Sequence, residues 1–395
     1  MVKKSITDIE IEGKRVLVRV DFNVPLDINT GAIGDDSRIR AVLPTIKYLV
    51  EHKSKVIICS HLGRPDGKVI EGLRMALIAH RLSELINLPV STASDCVGAD
   101  VERAVDNLKP GDILVLENVR FHAEEEANDP SFAQALAKLA DIYVDDAFGT
   151  AHRAHASTVG VAKYLPSVAG FLMEKELRAL GSLLSSPEHP FIALLGGAKV
   201  SDKIGLIQNI MGKVDVLLIG GGMAATFLKV LGHEVGLSLI ETDKLSLAKE
   251  LMETAKRNRC NLLLPLDVIV ADNISPEAAG EVVRVREIHA NKNIVDIGPQ
   301  TINLFSEKIR QSKTVFWNGP MGVYEIEQFA GGTKAMAELL ASLKATTIVG
   351  GGSTAEIVEE MGLANKMTHV STGGGASLKF LEGKTLPGVA ALLDK

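Results

Sequence analysis

Cysteine is scarce. The 395 residues hold three, Cys59, Cys96 and Cys260, with no CxxC pair and no histidine at ligand spacing. That argues against a disulfide framework or a zinc-ligand set and for reduced core thiols. Aromatic residues make up 4% of the chain, and Trp317 is the one tryptophan. Net positive charge is missing too. The formal charge is −6 at pH 7, so nothing global favours nucleic acid, and any anion site must be a local basic patch. The longest nearly uncharged apolar segment, Val216 to Leu228, is too short and too rich in glycine to span a bilayer. The opening segment MVKKSITDIEIEGK has no apolar stretch after its lysines and does not read as a signal peptide. A soluble, cytoplasmic protein without a membrane or nucleic-acid partner is expected. The usual nucleotide fingerprints are also lacking. There is no GxxxxGK[ST] loop, no HRD or DFG, and no G-x-G-x-x-G followed at the right distance by an acid.

What is present is an alternation of apolar runs and helical segments. At this length two domains of about 200 residues are expected. Strands are predicted at 15–21, 55–60, 112–117 and 140–146, with helices such as Met75 to Ile86 and Ser131 to Leu139 between them. That pattern gives a parallel sheet with helices on both faces. Ligands of such sheets bind beyond the C-terminal strand ends. There the sequence places Asp21 and Asn23, which would equally suit an Asx turn. It also places His61, Arg64, Arg120 and Arg153 there, with Arg38 after the first strand's loop, behind a helix N-cap at Asp35–Ser37. Guanidinium groups grip phosphate and carboxylate through paired hydrogen bonds. The first half therefore reads as built for a small, multiply anionic ligand, the alternative being unrelated surface arginines paired with acids.

The second half repeats one device: an apolar run, glycines, then a helix. It occurs at 194–199, 217–227, 348–358 and 370–381, with further strands at 262–267 and 314–320. In FIALLGGAKVSDKI (191–204), Gly196 and Gly197 end a strand, and Lys199 and Lys203 are predicted on one face of a helix's first turn. Glycines, free amides and lysines suit a phosphate chain, although a strand–turn–helix with a solvated lysine face gives the same pattern. Glu325 could accept bonds from ribose hydroxyls. Residues 170–186, with Leu177, Leu180 and Leu184 as an apolar stripe, read as a helix connecting two domains or as an ordinary crossover. No Ser-His-Asp or Cys-His arrangement is forced. Two anion sites suggest phosphoryl transfer, which needs positioning and charge neutralisation more than a nucleophilic side chain.

The chain resembles the phosphoglycerate kinase family from end to end. The segments are RVDFNVP, DDSRIRAVLPTI, SHLGRP, LENVRFH, DDAFGTAHRAHAS, LGGAKVSDKI, IGGGMA, WNGPMGVYE and STGGGASLKFLEGKTLPGV. The resemblance implies an α/β fold of two Rossmann-like lobes, each a parallel sheet flanked by helices. The lobes would be an N-terminal 3-phosphoglycerate domain (1–169) and a C-terminal nucleotide domain (187–379). An interdomain helix (170–186) would join them, and the tail (380–395) would dock on the N-terminal lobe. It implies reversible phosphoryl transfer from 1,3-bisphosphoglycerate to Mg-ADP, giving 3-phosphoglycerate and ATP, with closure about a hinge; with no strong interface signal in the sequence, a monomer is expected. By similarity, Asp21, Asn23, Arg38, His61, Arg64, Arg120 and Arg153 would bind the substrate. Arg38 and Lys199 would neutralise the transferring group, and Lys203 would hold nucleotide phosphates. Gly197, Gly221, Gly222, Asn318 and Pro320 would line the nucleotide site, with Glu325 at the ribose and Gly350, Gly351, Gly352 and Ser353 at the phosphates. One departure concerns Mg2+. The family's loop usually reads GGGDS, with Asp as the metal ligand, whereas here it is Gly350-Gly351-Gly352-Ser353-Thr354. A hydroxyl is the weaker ligand for a hard cation, so no carboxylate is assigned to the metal, and Ser353 or Thr354 is left to take its place. A non-catalytic nucleotide-binding protein on the same scaffold is the competing reading. It is disfavoured by the presence of Arg38, Lys199 and Lys203. An NAD-dependent oxidoreductase would need the fingerprint that is absent.

Overall fold

Continuous Val/Ile/Leu runs form strands buried on both faces, which is the signature of a parallel sheet covered by helices. The computed structural model describes residues 2–27 and 29–395. The chain divides into two compact units, Met1–Arg178 with Thr385–Lys395, and Ala179–Lys384. The first unit carries β1 (Arg15–Arg19), β2 (Lys55–Cys59), β3 (Val90–Thr92), β4 (Ile113–Val115), β5 (Ile142–Asp145) and β6 (Ser167–Ala169). They form one parallel sheet in the order β3-β4-β2-β1-β5-β6. Val16, Val18 and Val20 share a core with Val56, Ile58 and Val144. The helices Ser37–Glu51 and Ala76–Ile86 close it through Ile39, Val42, Ile46, Ile78 and Leu82. The last residues belong to this unit. Lys4 N–H donates to Leu393 O at 2.8 Å, and Gly388 N–H to Ala151 O at 2.8 Å.

The second unit carries β7 (Phe191–Leu195), β8 (Val216–Ile219), β9 (Asn261–Leu263), β10 (Asp267–Ala271), β11 (Glu281–Arg284), β12 (Asn293–Ile297), β13 (Thr314–Asn318), β14 (Thr346–Val349) and β15 (His369–Val370). Six of them make a parallel sheet ordered β15-β14-β13-β7-β8-β9, and β11-β10-β12 make a separate antiparallel sheet. The segment 262–267 is therefore two strands rather than one. Pro265 falls between β9 and β10 and cannot donate to a ladder, so the chain leaves one sheet there and enters the other.

The helix Ser37–Glu51 starts where expected, with Asp36 at the N-cap and Asp35 Oδ1 accepting from Ser37 N–H at 2.9 Å, while the Asp36 carboxylate takes Arg40 at 2.7 Å and Arg81 at 2.7 Å. One further expectation is corrected. In the helix Phe171–Ser185 the buried apolar residues are Met173, Leu180 and Leu183, whereas Leu177 and Leu184 are only half-buried. At this helix's start the buried Asp146 accepts from Met173 N–H at 3.0 Å, and a side chain at Gly170 would collide with the Asp146 carboxylate. Gly170→Ala should therefore cost about 1–3 kcal/mol by overpacking. An unchanged urea midpoint for this variant would show that the carboxylate can move aside.

Candidate active site

The first unit's basic cluster begins with an arginine inside the sheet. Arg19 is the last residue of β1 and is 1% exposed. It pairs with Cys59 on one side and Asp145 on the other. Its Nε donates to Ser157 Oγ at 2.9 Å, and that hydroxyl donates to the buried Glu125 Oε1 at 2.6 Å. Its Nη2 lies 3.2 Å from His61 Nδ1. A guanidinium can only donate, so Nδ1 is the acceptor and Nε2 carries the imidazole proton. Burial, followed by the charges of Arg19, Arg120, Arg38 and Arg153, holds His61 well below the usual histidine range. His61 is thus a neutral donor in a ring of cations. His155 is pushed down to about 4 by burial and by Arg120, Arg153 and Arg19.

The loops after the strands fix the remaining groups. Ser60 accepts from Phe22 N–H at 2.9 Å and donates to Val20 O at 2.9 Å, holding the turn that presents Asp21. Asp21 Oδ2 accepts from Arg38 Nη1 at 2.5 Å, while its Oδ1 lies 3.8 Å from His61 Nδ1. Asn23 Oδ1 accepts from Gly63 N–H at 2.8 Å, and Gly63 O accepts from Arg120 Nη1 at 3.0 Å. Arg120 also lies 3.3 Å from Glu126. Asn118 orders this region: it accepts from Arg120 N–H at 3.1 Å and donates to Leu62 O at 2.8 Å. The structure gathers Asp21, Asn23, Arg38, His61, Arg120 and Arg153 into one neighbourhood. Arg64, next to Gly63, is exposed and has no ion pair among the described residues. The sequence reading passed over Arg19 and Glu125. The available signal was an arginine inside a run that must be buried on both faces.

In the second unit, strand register builds the site. Leu195 pairs with Ile219 and with Asn318, and Trp317 pairs with Val349. Gly196, Gly220, Gly319 and Gly350 therefore follow the ends of neighbouring strands along one edge. The loops are also bonded to each other: Gly197 N–H donates to Pro320 O at 2.9 Å and Gly221 N–H to Met321 O at 3.0 Å. Gly221 has φ +64°, and a Cβ there would lie 2.6 Å from Gly197 N. Part of this glycine is thus spent on backbone packing.

Lys199 and Lys203 do not lie on a first helical turn. Residues 196–203 form a loop, and the helix Ile204–Ile210 begins after Lys203. Glu241 accepts from Ser201 N–H at 3.0 Å and Val200 is fully buried, which holds the loop out of helical conformation. The expected helix start at Gly197–Ser201 is absent accordingly. Lys199 is exposed and unpaired among the described residues. Lys203 donates from Nζ to Asn318 Oδ1, and Asn318 Nδ2 donates to Gly350 O at 2.6 Å. Burial pulls the Lys203 ammonium down to about 8.

These loops border a cavity of about 390 Å³, within the range of small-molecule sites. Gly197, Gly221, Gly222, Pro320, Glu325 and Ser353 line it beside the apolar Leu228, Leu239, Val268 and Val323. Lys199, Lys203, Asn318, Gly350, Gly351 and Gly352 are not in its wall. Asp296 is in the wall and was not anticipated. It accepts from Gly332 and Ile297 N–H, and burial raises it to about 7. The two candidate hydroxyls differ. Thr354 is buried and its oxygen accepts from Gly319 N–H at 2.7 Å, whereas Ser353 is exposed. The Gly350–Thr354 loop thus offers amides and one free hydroxyl. That donor set does not fit a protein-held Mg2+, which takes carboxylate oxygens.

The comparisons with known proteins decide the family. The phosphoglycerate kinase family model matches residues 6–384. The chain belongs to the phosphoglycerate kinase family. It is 56% identical over 395 residues to the phosphoglycerate kinase of Pelotomaculum thermopropionicum and 57% identical over 399 residues to that of Dictyoglomus turgidum, covering 100% of each chain in both cases. The phosphoglycerate kinase structure from Coxiella burnetii matches with a TM-score of 0.89 at 42% identity, and that from Pyrococcus horikoshii with 0.84 at 33%, each covering 98% of both chains. As a family member the chain is a kinase of glycolysis, a phosphotransferase with a carboxyl group as acceptor. Among the described residues no helix is long and apolar enough to cross a membrane.

One consequence concerns the phosphoglycerate kinase scaffold itself. Arg19→Met removes a buried cation and leaves Glu125 uncompensated. That should cost about 3–5 kcal/mol of stability. An unfolding free energy from denaturant titration lowered by less than about 1 kcal/mol would mean Ser157 alone satisfies Glu125.

Proposed function

We propose that the chain interconverts 1,3-bisphosphoglycerate plus Mg-ADP with 3-phosphoglycerate plus ATP, as a cytoplasmic monomer, by direct in-line transfer. The observation that carries this reading is the cluster beyond the strand ends of the first unit, where Arg19 Nη2 lies 3.2 Å from His61 Nδ1, Arg38 pairs with Asp21, and Asn23 and Arg120 both bond the Gly63 backbone. Such a field suits a small ligand with a phosphate at one end and a carboxyl at the other. Asp21 and Asn23 hold the hydroxyl end, and His61, Arg120 and Arg153 bind the distal phosphate. The exposed Arg64 assists from the rim. The nucleotide's adenosine lies in the cavity of the second unit, with its ribose at Glu325 and its phosphates toward Lys203, Lys199 and the amides of Gly350–Ser353. The metaphosphate-like transition state carries charge on its equatorial oxygens, and Arg38 and Lys199 neutralise it. Acceptor and donor belong to different units, so the reaction requires hinge closure, which also expels water. Mg2+ arrives as the nucleotide complex, and its charge adds to that of the lysines.

The test is a coupled assay of ATP formation from 1,3-bisphosphoglycerate and ADP, titrated with Mg2+. Turnover is expected to follow the concentration of Mg-ADP. Binding of ADP with no turnover would instead establish the non-catalytic reading. In the same assay Arg38→Ala should lose about 10²–10³ in kcat with ADP affinity preserved. A collapse of ADP affinity would place Arg38 wrongly.

The pH dependence of ADP binding is a separate check. The Lys203 ammonium is charged below about 8 and neutral above it. A phosphate ligand prefers the charged form, so ADP affinity should fall as pH rises from 7 to 9. The slope should vanish in Lys203→Met. A wild-type profile that stays flat would remove Lys203 from the phosphate site.

A further inference from the structure

The loops after β3 and β4 bring together three metal-ligating side chains that the phosphoryl-transfer reading does not use. The two strands are adjacent and parallel, with Thr92 opposite Val115. Their loops leave the same sheet edge side by side and stay connected. Ala93 N–H donates to Val115 O at 2.9 Å, and Glu117 N–H to Asp95 O at 3.3 Å. His122 Nε2 lies 2.7 Å from Asp95 Oδ1. Cys96 is beside them, free and fully buried. One ligand atom from each of Asp95, Cys96 and His122 lies within 4.8 Å of the other two.

We propose that Asp95, Cys96 and His122 form a binding site for a soft divalent cation of the zinc class. Zinc binds imidazole nitrogen and carboxylate oxygen at about 2.0–2.2 Å and thiolate at about 2.3 Å, so ligand atoms of one tetrahedral site lie about 3–4 Å apart. A triangle with no side above 4.8 Å closes onto one ion through small motions of the rim. The rim can move: the Asp95 and His122 side chains are 48% and 28% exposed. The thiol forms the floor, and the ion enters from the solvent side. A mixed nitrogen, oxygen and sulfur set suits zinc, and the sulfur disfavours magnesium and calcium. Three protein ligands leave the fourth position to water. The His122 ring packs on Phe132, with centroids 5.1 Å apart, which orients it. Binding breaks the Cys96 S–H bond, releases that proton to solvent and forms a metal–sulfur bond, with His122 ligating through Nε2 in its neutral form. Cys96 and His122 are far apart in sequence, which is why ligand spacing did not reveal the set.

Cobalt(II) is the probe, added to the full-length chain under a non-thiol reductant. One equivalent should bind, with a sulfur-to-cobalt charge-transfer band and the visible bands of a tetrahedral ion, and one equivalent of zinc should displace it. Cys96→Ser should abolish the charge-transfer band, and Cys260→Ser should leave it unchanged. Asp95→Asn, at the exposed rim, should weaken cobalt binding by at least about tenfold. The absence of the band at saturating cobalt, or its survival in Cys96→Ser, overturns the proposal. If Cys96→Ser does not fold, unchanged affinity in Asp95→Asn overturns it.

Discussion

Like-charge repulsion at one sheet edge is the constraint on which the first unit depends. Arg19, Arg38, Arg120 and Arg153 all act on the single imidazole of His61. Two unit charges 4 Å apart near a protein surface repel by about 4 kcal/mol. The fold tolerates the arrangement by graded compensation. The innermost cation, Arg19, faces Glu125 across Ser157. Arg38 is tied to Asp21, and Arg120 lies near Glu126. Both His61 and His155 stay neutral rather than add charge. Arg153 and Arg64 have no ion pair of their own among the described residues. Under the proposed function a polyanionic ligand would neutralise the charge left over, so that anion binding and structural relief would be the same event. That is how an acidic protein comes to hold a strongly basic site.

The second unit solves a related problem with little formal charge. Register sets glycines at the ends of neighbouring strands, and their loops are bonded to one another through Gly197, Pro320, Gly221 and Met321. The cradle is rigid because backbone packs on backbone with no side chain between. Burial moves two of its titratable groups toward the neutral range, Lys203 down to about 8 and Asp296 up to about 7. An amide-lined surface with weak cations suits a ligand that brings its own counter-ion.

The sheets were legible because buried parallel strands are apolar throughout, and the glycines and arginines at their ends punctuate them. Arg19 shows in the sequence only as an arginine inside a run that must be buried on both faces, a signal masked by its resemblance to a strand's polar face, and its partner Glu125 lies a hundred residues on. The loop 196–203 was misread as a helix start for a similar reason. One bond that holds it comes from Glu241, and local spacing carries no trace of that acceptor. The β11-β10-β12 sheet was missed because Pro265 was read inside a strand rather than as the break between two. For Arg19 and the 196–203 loop a long-range partner overrode a local pattern, as tertiary context commonly does, whereas Pro265 was a local signal. The Asp95, Cys96 and His122 cluster belongs to the same class, since adjacency of β3 and β4 and not spacing brings it together.

The Gly350–Thr354 loop shows how a single position divides structural from ligand-facing work. Thr354 points inward, and its oxygen holds the Gly319 amide, pinning the loop after β13 to the start of the helix Gly352–Glu360. Ser353 points outward into the cavity, in a wall shared with Glu325 and Asp296. A carboxylate at 353 would ligate a hard cation but would add negative charge beside two acids already there. A hydroxyl gives up the metal bond and leaves the phosphates facing lysines and amides without that opposing charge. If the nucleotide binds as proposed, a hydroxyl at 353 exchanges direct metal ligation for a less negative cavity wall, and the cation's place is then set by the phosphates that carry it.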